Sequence, residues 1–343
     1  MIEPKFTFSD LLINNIKKIA IIIAELNNRS FPKTVLATFE QKANSLSAHA
    51  STSIEGNPLP LTEVKRLLRS KPENIRATER EVLNYNRILE TINERMKKGP
   101  IAIDLDFICD VQREVTAALI EKLRWGMMRK EPVFVSDPRS GKTVYWPPDH
   151  QDVPKLMRGL IQFVQGKRQH LDPLILAGIF HKAFVIIHPF MDGNGRTARL
   201  VTKALLADMG LNTFNLFSFE NYYNNNVAAY FRHVGLVGNY YDLANSIDFT
   251  PWLEYFTGGI IDELLRVKKE LEVETGSPEF TLHSHHKKML QYIQNNGFIT
   301  DRDYSKLTRR AKATRSLDFK KMLAMGLIER FGKGRLTHYK RRP

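Results

Sequence analysis

The chain contains a single cysteine, Cys109, among its 343 residues, so it cannot form an intrachain disulfide. A sequence this poor in cysteine is typical of a reducing compartment, and we expect a cytoplasmic location. It also lacks a long hydrophobic run, because the stretch IAIIIAEL at 19–26 is too short to span a bilayer and leads into polar NNRS. No secretory leader pattern, internal repeat or low-complexity tract is visible. These absences predict a globular protein that does not enter a membrane.

Negative charge is scarce in one part of the chain only. From Phe280 to Pro343 there are 16 lysines and arginines against 4 aspartates and glutamates, a net charge of +12. The whole chain carries +14, so the residues before Phe280 contribute only +2. A basic segment attached to a nearly neutral body indicates a separate role for the last fifth of the chain.

Apolar residues recur at helical spacing through most of the chain, which predicts a mainly α fold. Breaks that contain glycine or proline divide it into regions. We expect an N-terminal helical region at 1–100, a second domain at 101–273, a linker at 274–280 with the sequence ETGSPEF, and a small domain at 281–343.

One segment of the second domain changes character and predicts a β-hairpin. The β-prone runs PVFV and KTVYW flank the turn-forming segment SDPRSGK, and a double proline follows. The second of these runs contains Lys142, Thr143, Val144 and Tyr145.

The basic segment reads as three helices followed by two strands, which is the order of a winged helix-turn-helix. Its third helix begins among four basic residues, Arg309, Arg310, Lys312 and Arg315. This pattern favours contact with DNA. The sequence leaves open the alternative that the same domain docks another protein.

Two sets of histidines invite a metal interpretation. His283, His285 and His286 stand together, but no cysteine or carboxylate lies at ligand spacing, which favours a solvated helix start. His181 lies two helical turns before His188, and a hydrogen-bonded histidine inside the helical body is the favoured interpretation.

The densest group of chemically useful side chains is HPFMDGNGRTAR at 188–199. Pro189 should end the preceding helix near His188, and the segment DGNG forms a turn before the next helix. Two glycines in that turn allow backbone amides to converge at a helix N terminus, which favours anion binding.

Charged and titratable side chains flank this turn. Arg196 and Arg199 are three residues apart and share a helix face, so they can meet adjacent phosphates. Asp192 offers a hard oxygen ligand for Mg²⁺ bridging those phosphates. His188 titrates near neutrality and suits a general base. No GKS or GKT follows, so the motif is not a P-loop. It predicts a phosphate cradle with a base at its edge.

HPFMDGNGRTAR matches the signature HPFx[D/E]GNGRxxR of the Fic family at every fixed position. The resemblance continues in VYWPPDHQDVPKLM, IFHKAFVIIHPF and DFTPWLEYF, and covers about residues 1–270. It implies a mainly α Fic/Doc core with a β-hairpin flap, followed here by the winged helix-turn-helix. It also implies a protein adenylyltransferase, which moves AMP from ATP to a Ser, Thr or Tyr hydroxyl of a target protein, or of itself, and releases pyrophosphate.

The family pattern implies a role for each matching position. His188 would deprotonate the target hydroxyl, Asp192 would hold Mg²⁺ between the α- and β-phosphates, and the hairpin would be the flap that holds the target backbone by strand addition. Arg196 would grip the β-phosphate and Arg199 the γ-phosphate. The other nucleotide-binding positions are Gly193, Asn194, Gly195, Thr197 and Tyr230. The last is a nucleoside contact, although this chain has Tyr-Phe where family members often carry Tyr-Tyr.

A further resemblance concerns the helix that Gly56 should end. Its last turn holds Glu55, where the helix dipole disfavours negative charge. The segment STSIEG fits the inhibitory-helix pattern [S/T]xxxE[G/N] of the family, with Ser51 and Glu55 in the defining places of a helix at about 34–56. The pattern lies before the catalytic motif, which implies the class with an N-terminal inhibitory helix. Pairing of Glu55 with Arg199 would withdraw that arginine from ATP, so we expect self-inhibition.

Two other functions stay open on the sequence alone. The Fic body could sense nucleotide for a DNA-binding regulator, or the same site could hydrolyse AMP from a modified protein with Glu55 aligning a water. The target, the donor nucleotide and the oligomeric state are also open, although similar proteins form homodimers.

Overall fold

The computed structural model describes residues 4–28, 31–70, 74–99, 101–136, 141–207, 215–275 and 282–341. These residues form two compact units, which divide between Val267 and Lys268. The expected mainly α architecture is confirmed, and most of the described chain is helical. No helix among the described residues is long and apolar enough to cross a membrane.

Twelve helices start within the described part of the first unit. They are α1 (Asp10–Asn27), α2 (Lys33–Ile54), α3 (Leu61–Arg69), α4 (Ala77–Met96), α5 (Leu105–Thr116), α6 (Val153–Lys167), α7 (Pro173–Ile187), α8 (Asn194–Ala207), α9 (Phe219–Asn225), α10 (Val227–Val234), α11 (Tyr240–Leu243) and α12 (Thr250–Thr275). The predicted linker begins at Glu274, which is still helical, and its residues 276–280 lie outside the described part.

Helices α7 and α8 form the centre of the first unit. The sequence of α7, PLILAGIFHKAFVII, is apolar all round, and nearly every residue of it is buried. It begins where the Asp172 side chain accepts a hydrogen bond from the Leu174 amide, with Pro173 at the first helical position. Helix α8 packs against α7 and is surrounded by α2, α4 and α5. The motif between α7 and α8 is therefore held by a rigid core.

Helix α2 corresponds to the predicted inhibitory helix. It ends at Ile54, with Glu55 as its C-cap and Gly56 in the left-handed conformation at φ +96°. Only glycine adopts this conformation without strain, so the predicted stop at Gly56 is confirmed. Helix α2 packs on α4, α8 and α9. The predicted regions 1–100 and 101–273 thus share one compact unit as far as Val267.

A small three-stranded sheet lies beside the helical core. Strand β1 (Val135–Ser136) pairs antiparallel with β2 (Thr143–Trp146), as the hairpin pattern predicts. Strand β3 (Gly238–Asn239) then pairs parallel with β2, with Tyr145 opposite Gly238. Strand β3 could not be predicted, because a two-residue strand has no hydrophobic periodicity.

The described part of the second unit contains three complete α-helices and an antiparallel strand pair. Its elements are α13 (Ser284–Asn296), α14 (Asp301–Leu307), α15 (Lys312–Ala324), β4 (Ile328–Phe331) and β5 (His338–Arg341). They enclose a separate core of buried apolar side chains that includes Met289, Tyr304, Phe319 and Met322. This small core explains why the basic segment can form a unit of its own.

A buried carboxylate ties the helices of the second unit together. Asp318 on α15 is 4% exposed, and its oxygens lie 3.1 Å from His286 Nε2, 3.0 Å from the Tyr304 hydroxyl and 2.9 Å from Arg310 Nε. His286 is itself buried, so the interpretation of the histidines as a solvated helix start is wrong for this residue. His285 also approaches Asp318, at 3.5 Å. We interpret this cluster as a structural ion-pair network, since cationic and hydroxyl groups already satisfy the carboxylate.

Candidate active site

The turn between α7 and α8 has an unusual backbone. His188 caps α7 in the left-handed conformation, at φ +51°, which is uncommon for any residue other than glycine. The Asn194 side chain holds the turn, accepting from the Phe190 amide at 2.9 Å and donating to the Phe190 carbonyl at 2.8 Å. Strain of this kind is often found at functional sites, where the surroundings enforce it.

Two positions in the turn require glycine for reasons of space. Gly193 has φ +81°, and a side chain there would meet the Thr116 methyl group at 2.8 Å. A side chain at Gly195 would overlap an oxygen of the Glu55 carboxylate. The second observation places Glu55 directly over the start of α8, where the sequence predicts an anion-binding site.

Arg199 is fully buried and bound to the end of α2. Its Nη2 lies 2.6 Å from Glu55 Oε1 and donates to the Ser51 carbonyl at 2.9 Å, while Nε donates to Ser51 Oγ at 2.7 Å. Nη1 lies 3.4 Å from the Tyr230 hydroxyl. Burial alone lowers the pKa of an arginine, but the Glu55 carboxylate raises the pKa of Arg199 above its usual value. The guanidinium is therefore charged, and the predicted pair with Glu55 is present.

A buried network fixes α2 in this position. Glu220 at the start of α9 is fully buried and accepts hydrogen bonds from Ser47 at 3.1 Å and from Tyr85 at 2.9 Å. Ser218 donates to the same carboxylate at 2.9 Å. Helices α2, α4 and α9 are thereby joined below the Glu55–Arg199 pair.

A cavity of about 610 Å³ opens at this pair. It falls within the size range of small-molecule sites. Its polar wall consists of Glu55, His188, Asn194, Gly195, Arg199 and Tyr230. Its apolar lining residues include Val227, Ala228, Phe231, Leu236 and Val237. The cavity thus offers both charged and apolar groups to one ligand.

His188 is poised to accept a proton. Burial lowers the pKa of His188 to about 4, so the ring is neutral at physiological pH. Its Nδ1 lies 3.4 Å from the Val185 carbonyl. A neutral imidazole that lines a cavity and has one nitrogen near a carbonyl is suited to general-base chemistry through its other nitrogen.

Arg196 and Asp192 form an ion-pair chain beside the cavity. Arg196 Nη2 donates to both oxygens of Asp192 at 2.9 and 3.0 Å, and Nη1 lies 2.7 Å from Glu81 on α4. Asp192 also accepts from the Gly193 amide at 2.7 Å. Its side chain is 45% exposed, which leaves its oxygens within reach of a hydrated cation.

The structure separates the predicted nucleotide-binding residues into two groups. Asn194, Gly195, Arg199 and Tyr230 line the cavity. Asp192, Gly193, Arg196 and Thr197 are not among its lining residues. Thr197 is fully buried on α8, and its amide donates to the Gly193 carbonyl at 2.9 Å. The nucleotide-binding roles of both groups remain predictions.

Tyr230 is held in the core by burial, a hydrogen-bond contact and ring stacking. It is 1% exposed, and its hydroxyl lies 3.1 Å from His181 Nε2. Its ring stacks on Tyr223 at 4.6 Å. Burial and then Arg199 lower the pKa of His181 well below its usual value, so this histidine is a neutral core residue, in agreement with the favoured interpretation.

The hairpin borders the cavity through its second strand. Val144 and Tyr145 are lining residues, and the Tyr145 hydroxyl donates to the Ile186 carbonyl at 3.0 Å. Thr143 opens β2, and Lys142 precedes it as an exposed side chain. Of the four predicted flap residues, Val144 and Tyr145 line the cavity, and Lys142 and Thr143 are not among its lining residues.

Sequence reasoning missed two residues that support the motif. The Arg129 side chain is 3% exposed and donates to the carbonyls of His188, at 2.8 Å, and of Pro148. The Gln112 amide donates to the Asp192 carbonyl at 3.1 Å. Both lie far from the motif in the chain, and no local pattern marks them.

The sequence model of the Fic/DOC family matches residues 102–206. Among curated relatives, "Protein adenylyltransferase Fic" of Nematostella vectensis is 32% identical over 164 residues, which cover 47% of this chain and 36% of the relative. The protein of the same name in Aedes aegypti is 27% identical over 189 residues, or 54% of this chain and 36% of that one. The chain therefore spans about a third of the length of these relatives.

Solved structures extend the similarity of fold. A Fic family protein from Desulfovibrio desulfuricans superimposes with a TM-score of 0.73 at 20% identity, covering 99% of this chain and 98% of the other. A Fic domain containing signaling protein from Bacteroides thetaiotaomicron gives 0.61 at 21% identity, over 77% of this chain and 97% of the other. At such low identity these comparisons bear on the fold alone.

Proposed function

Because this chain carries a Fic domain at residues 102–206, we propose that it is a protein adenylyltransferase, which moves AMP from ATP to a protein hydroxyl. The observation that carries this proposal is that neutral His188, Gly195 and the buried cation Arg199 all line one cavity. A base, a close backbone approach and a fixed positive charge are what transfer of a phosphoryl-type group requires.

His188 acts on the attacking hydroxyl of the target. The neutral ring accepts the hydroxyl proton while the oxygen forms a bond to the α-phosphorus of ATP. The bond between the α-phosphorus and the bridging oxygen breaks, and pyrophosphate leaves. The carbonyl-anchored Arg129 and the left-handed backbone keep the imidazole at the cavity wall.

The nucleotide uses both the apolar and the charged lining of the cavity. The apolar side chains around Phe231, together with Tyr230, receive the nucleoside, and the start of α8 with Arg199 receives the phosphates. Asp192, with its exposed oxygens, fits a single carboxylate ligand for Mg²⁺, which when bound supplies charge neutralisation to the phosphates. Arg196 orients Asp192, and its contact with the β-phosphate stays a prediction.

The Glu55–Arg199 pair keeps the enzyme inhibited. The Glu55 oxygen lies over Gly195, where a phosphate would need to approach, and it neutralises the arginine that would bind that phosphate. Both effects oppose productive ATP binding. Helix α2 is thus the N-terminal inhibitory helix of the proposed enzyme, with Ser51 as the second anchor.

The target reaches the cavity past the hairpin. We expect an extended target segment to add to the β1–β2 edge through backbone hydrogen bonds and to deliver its hydroxyl to His188. The flap residues Lys142, Thr143, Val144 and Tyr145 would contact that segment.

The fate of each phosphate of ATP tests the proposed reaction. The full-length chain, incubated with Mg²⁺ and ATP labelled at either the α- or the γ-phosphate, should incorporate label into protein from the α position only. Incorporation from the γ position would show phosphoryl transfer instead. Absence of incorporation from both positions, in wild type and in Glu55→Gly, would exclude the transferase. Unlabelled GTP and CTP as competitors identify the preferred donor.

The low pKa of His188 predicts the pH dependence of the reaction. A lowered pKa means that the ring binds its proton only in acid, so kcat/KM should stay level down to about pH 5 and fall below it. A histidine with an ordinary pKa would lose half of its activity near about pH 6.5 instead. Rates of the Glu55→Gly variant across this range give the midpoint, and circular dichroism at each pH checks the fold. A midpoint of the kcat/KM profile near pH 6.5 would contradict a base whose pKa is lowered by burial.

Hydrolysis at the same site is the second candidate function. Glu55 lines the same cavity as His188, so its carboxylate can align a water against an AMP-modified hydroxyl. Release of AMP from a pre-modified protein by wild type, and its loss in Glu55→Gly, would support this direction.

Three other expectations from the sequence stay predictions. They are the homodimer, the cytoplasmic location that the single cysteine suggests, and a role of 281–343 as a winged helix-turn-helix that docks DNA or protein.

A further inference from the structure

A second concavity lies in the C-terminal unit, far in sequence from the Fic motif. It has a volume of about 690 Å³ and is formed by the first turn of α13, the end of α14 and the residues after it. Its lining residues are Ser284, His285, Lys288, Ser305, Lys306, Leu307, Thr308, Arg309 and Arg310. Four of these side chains are lysine or arginine, and none is acidic.

The structure distinguishes cations that are already bound from cations that are available. Arg310 is held by Asp318, and Arg315 makes two hydrogen bonds of 2.8 and 2.9 Å to Asp301. These two arginines, which the sequence assigned to DNA contact, are used inside the unit. By contrast, Lys288, Lys306 and Arg309 are exposed and have no ion-pair partner in the described part of the chain.

Three acidic residues of this unit are bound to partners within it. Asp301 is paired with Arg315, Asp303 caps α14 through Thr300, and Asp318 is buried in its network. The carboxylates are therefore turned to internal partners. The surface around the concavity is left with a positive potential, which attracts anions.

Neutral groups at the concavity complete an anion site. No side chain caps α13, so the uncapped N terminus that carries Ser284 and His285 adds its positive dipole end. The Thr308 hydroxyl accepts from the Arg310 amide at 3.4 Å, which leaves its own proton free to donate. Hydroxyls and cations together are the groups that contact phosphate in nucleic-acid complexes.

We propose that this concavity binds neighbouring backbone phosphates of a nucleic acid. Leu307 is its sole apolar lining side chain and no Phe, Tyr or Trp lines it, so charged and polar groups dominate its lining. The same unit also exposes Lys312, Lys320 and Lys333. A polymer with regularly spaced phosphates can engage several of these cations at once, whereas a single phosphate cannot. This proposal is independent of adenylyl transfer, since its measurement is binding alone.

Salt dependence of DNA binding tests the proposal with the full-length chain. Fluorescence anisotropy of a labelled DNA duplex should show an affinity that falls about 20-fold or more from about 50 to about 150 mM salt, the loss expected for three or more phosphate contacts. The triple variant Lys288→Gln, Lys306→Gln, Arg309→Gln should lower the slope of log K against log salt by about three units. The matched control Lys17→Gln, Lys18→Gln, Lys65→Gln removes the same charge from exposed positions of the first unit and should keep the wild-type slope.

Several outcomes would overturn the assignment. An unchanged slope in the pocket variant, or an equal loss in the control variant, would show that the concavity is not the site. Absence of binding by wild type at low salt would remove the nucleic acid as ligand. Displacement of the duplex by inorganic phosphate at equal phosphate concentration would assign a free anion, and equal displacement by polyglutamate would assign an acidic protein.

Discussion

Replacement of Glu55 by glycine should raise the rate of self-labelling from α-labelled ATP by about 100-fold. In the described structure the Glu55 carboxylate pairs with Arg199 at 2.6 Å and lies over Gly195. Its removal frees one buried cation and clears the approach of the phosphates. A single preorganised charged donor is worth about 100-fold or more in rate when it acts on developing charge. The initial rate under saturating ATP measures the effect.

Two further variants separate charge from fold. Glu55→Gln keeps the shape and one hydrogen-bond acceptor for Arg199 but loses the charge, so its rate should lie between those of wild type and Glu55→Gly. Glu274→Gly makes the same substitution at an exposed position in the last turn of α12 and should leave the rate unchanged. Equal rates for wild type and Glu55→Gly would contradict the inhibitory role of the pair.

Replacement of His188 by alanine in the Glu55→Gly background should lower labelling about 1,000-fold. General-base catalysis contributes about 100- to 10,000-fold, and His188 is the histidine that lines the cavity. Since the methyl group of alanine fits the space of the ring, the fold should survive. A large decrease in kcat with little change in the affinity for ATP is expected, because His188 acts on the hydroxyl and not on the nucleotide.

An exposed histidine provides the control for this variant. His170 lies at a surface position after α6, and His170→Ala in the same background should label at the full rate. If His188→Ala retained most of the activity, another group would have to accept the proton. Thermal unfolding of both variants would show whether a lost rate reflects chemistry or a lost fold.

The local parts of this account could be read from the sequence. The HPF motif, the stop at Gly56 and the β1–β2 hairpin depend on residues within a few positions of each other, and their turn chemistry is specific. The unfavourable position of Glu55 at a helix end also had a physical reason to attract a cation. That cation, Arg199, is present at the expected contact.

The long-range parts could not be read in this way. Arg129 and Gln112 reach the motif from distant segments, and Glu81 on α4 takes up Arg196, which the sequence assigned to a phosphate. Likewise, Asp318 lies 32 positions after His286, so a search for carboxylates near the histidines in the sequence could not find it. Such partners are set by the packing of helices and not by any periodic pattern.

The basic tail shows how the structure refines a charge argument. Net charge located the segment correctly, but charge alone cannot tell which cations are paired internally. Arg310 and Arg315 are bound to aspartates, and the available cations surround a concavity that includes Lys288, 21 positions before Arg309. Because Arg310 and Arg315 are paired, we expect a nucleic acid to contact the concavity between α13 and α14 and not the start of α15.

Intact-mass spectrometry of the full-length Glu55→Gly variant, after incubation with ATP and Mg²⁺, tests the central claim most directly. The account predicts protein heavier by one or more AMP units, no such species for wild type under the same conditions, and none when His188→Ala is added. A mass increase of a single phosphate, or an AMP adduct that persists without His188, would contradict the assignment of this cavity as an adenylyl transfer site restrained by Glu55.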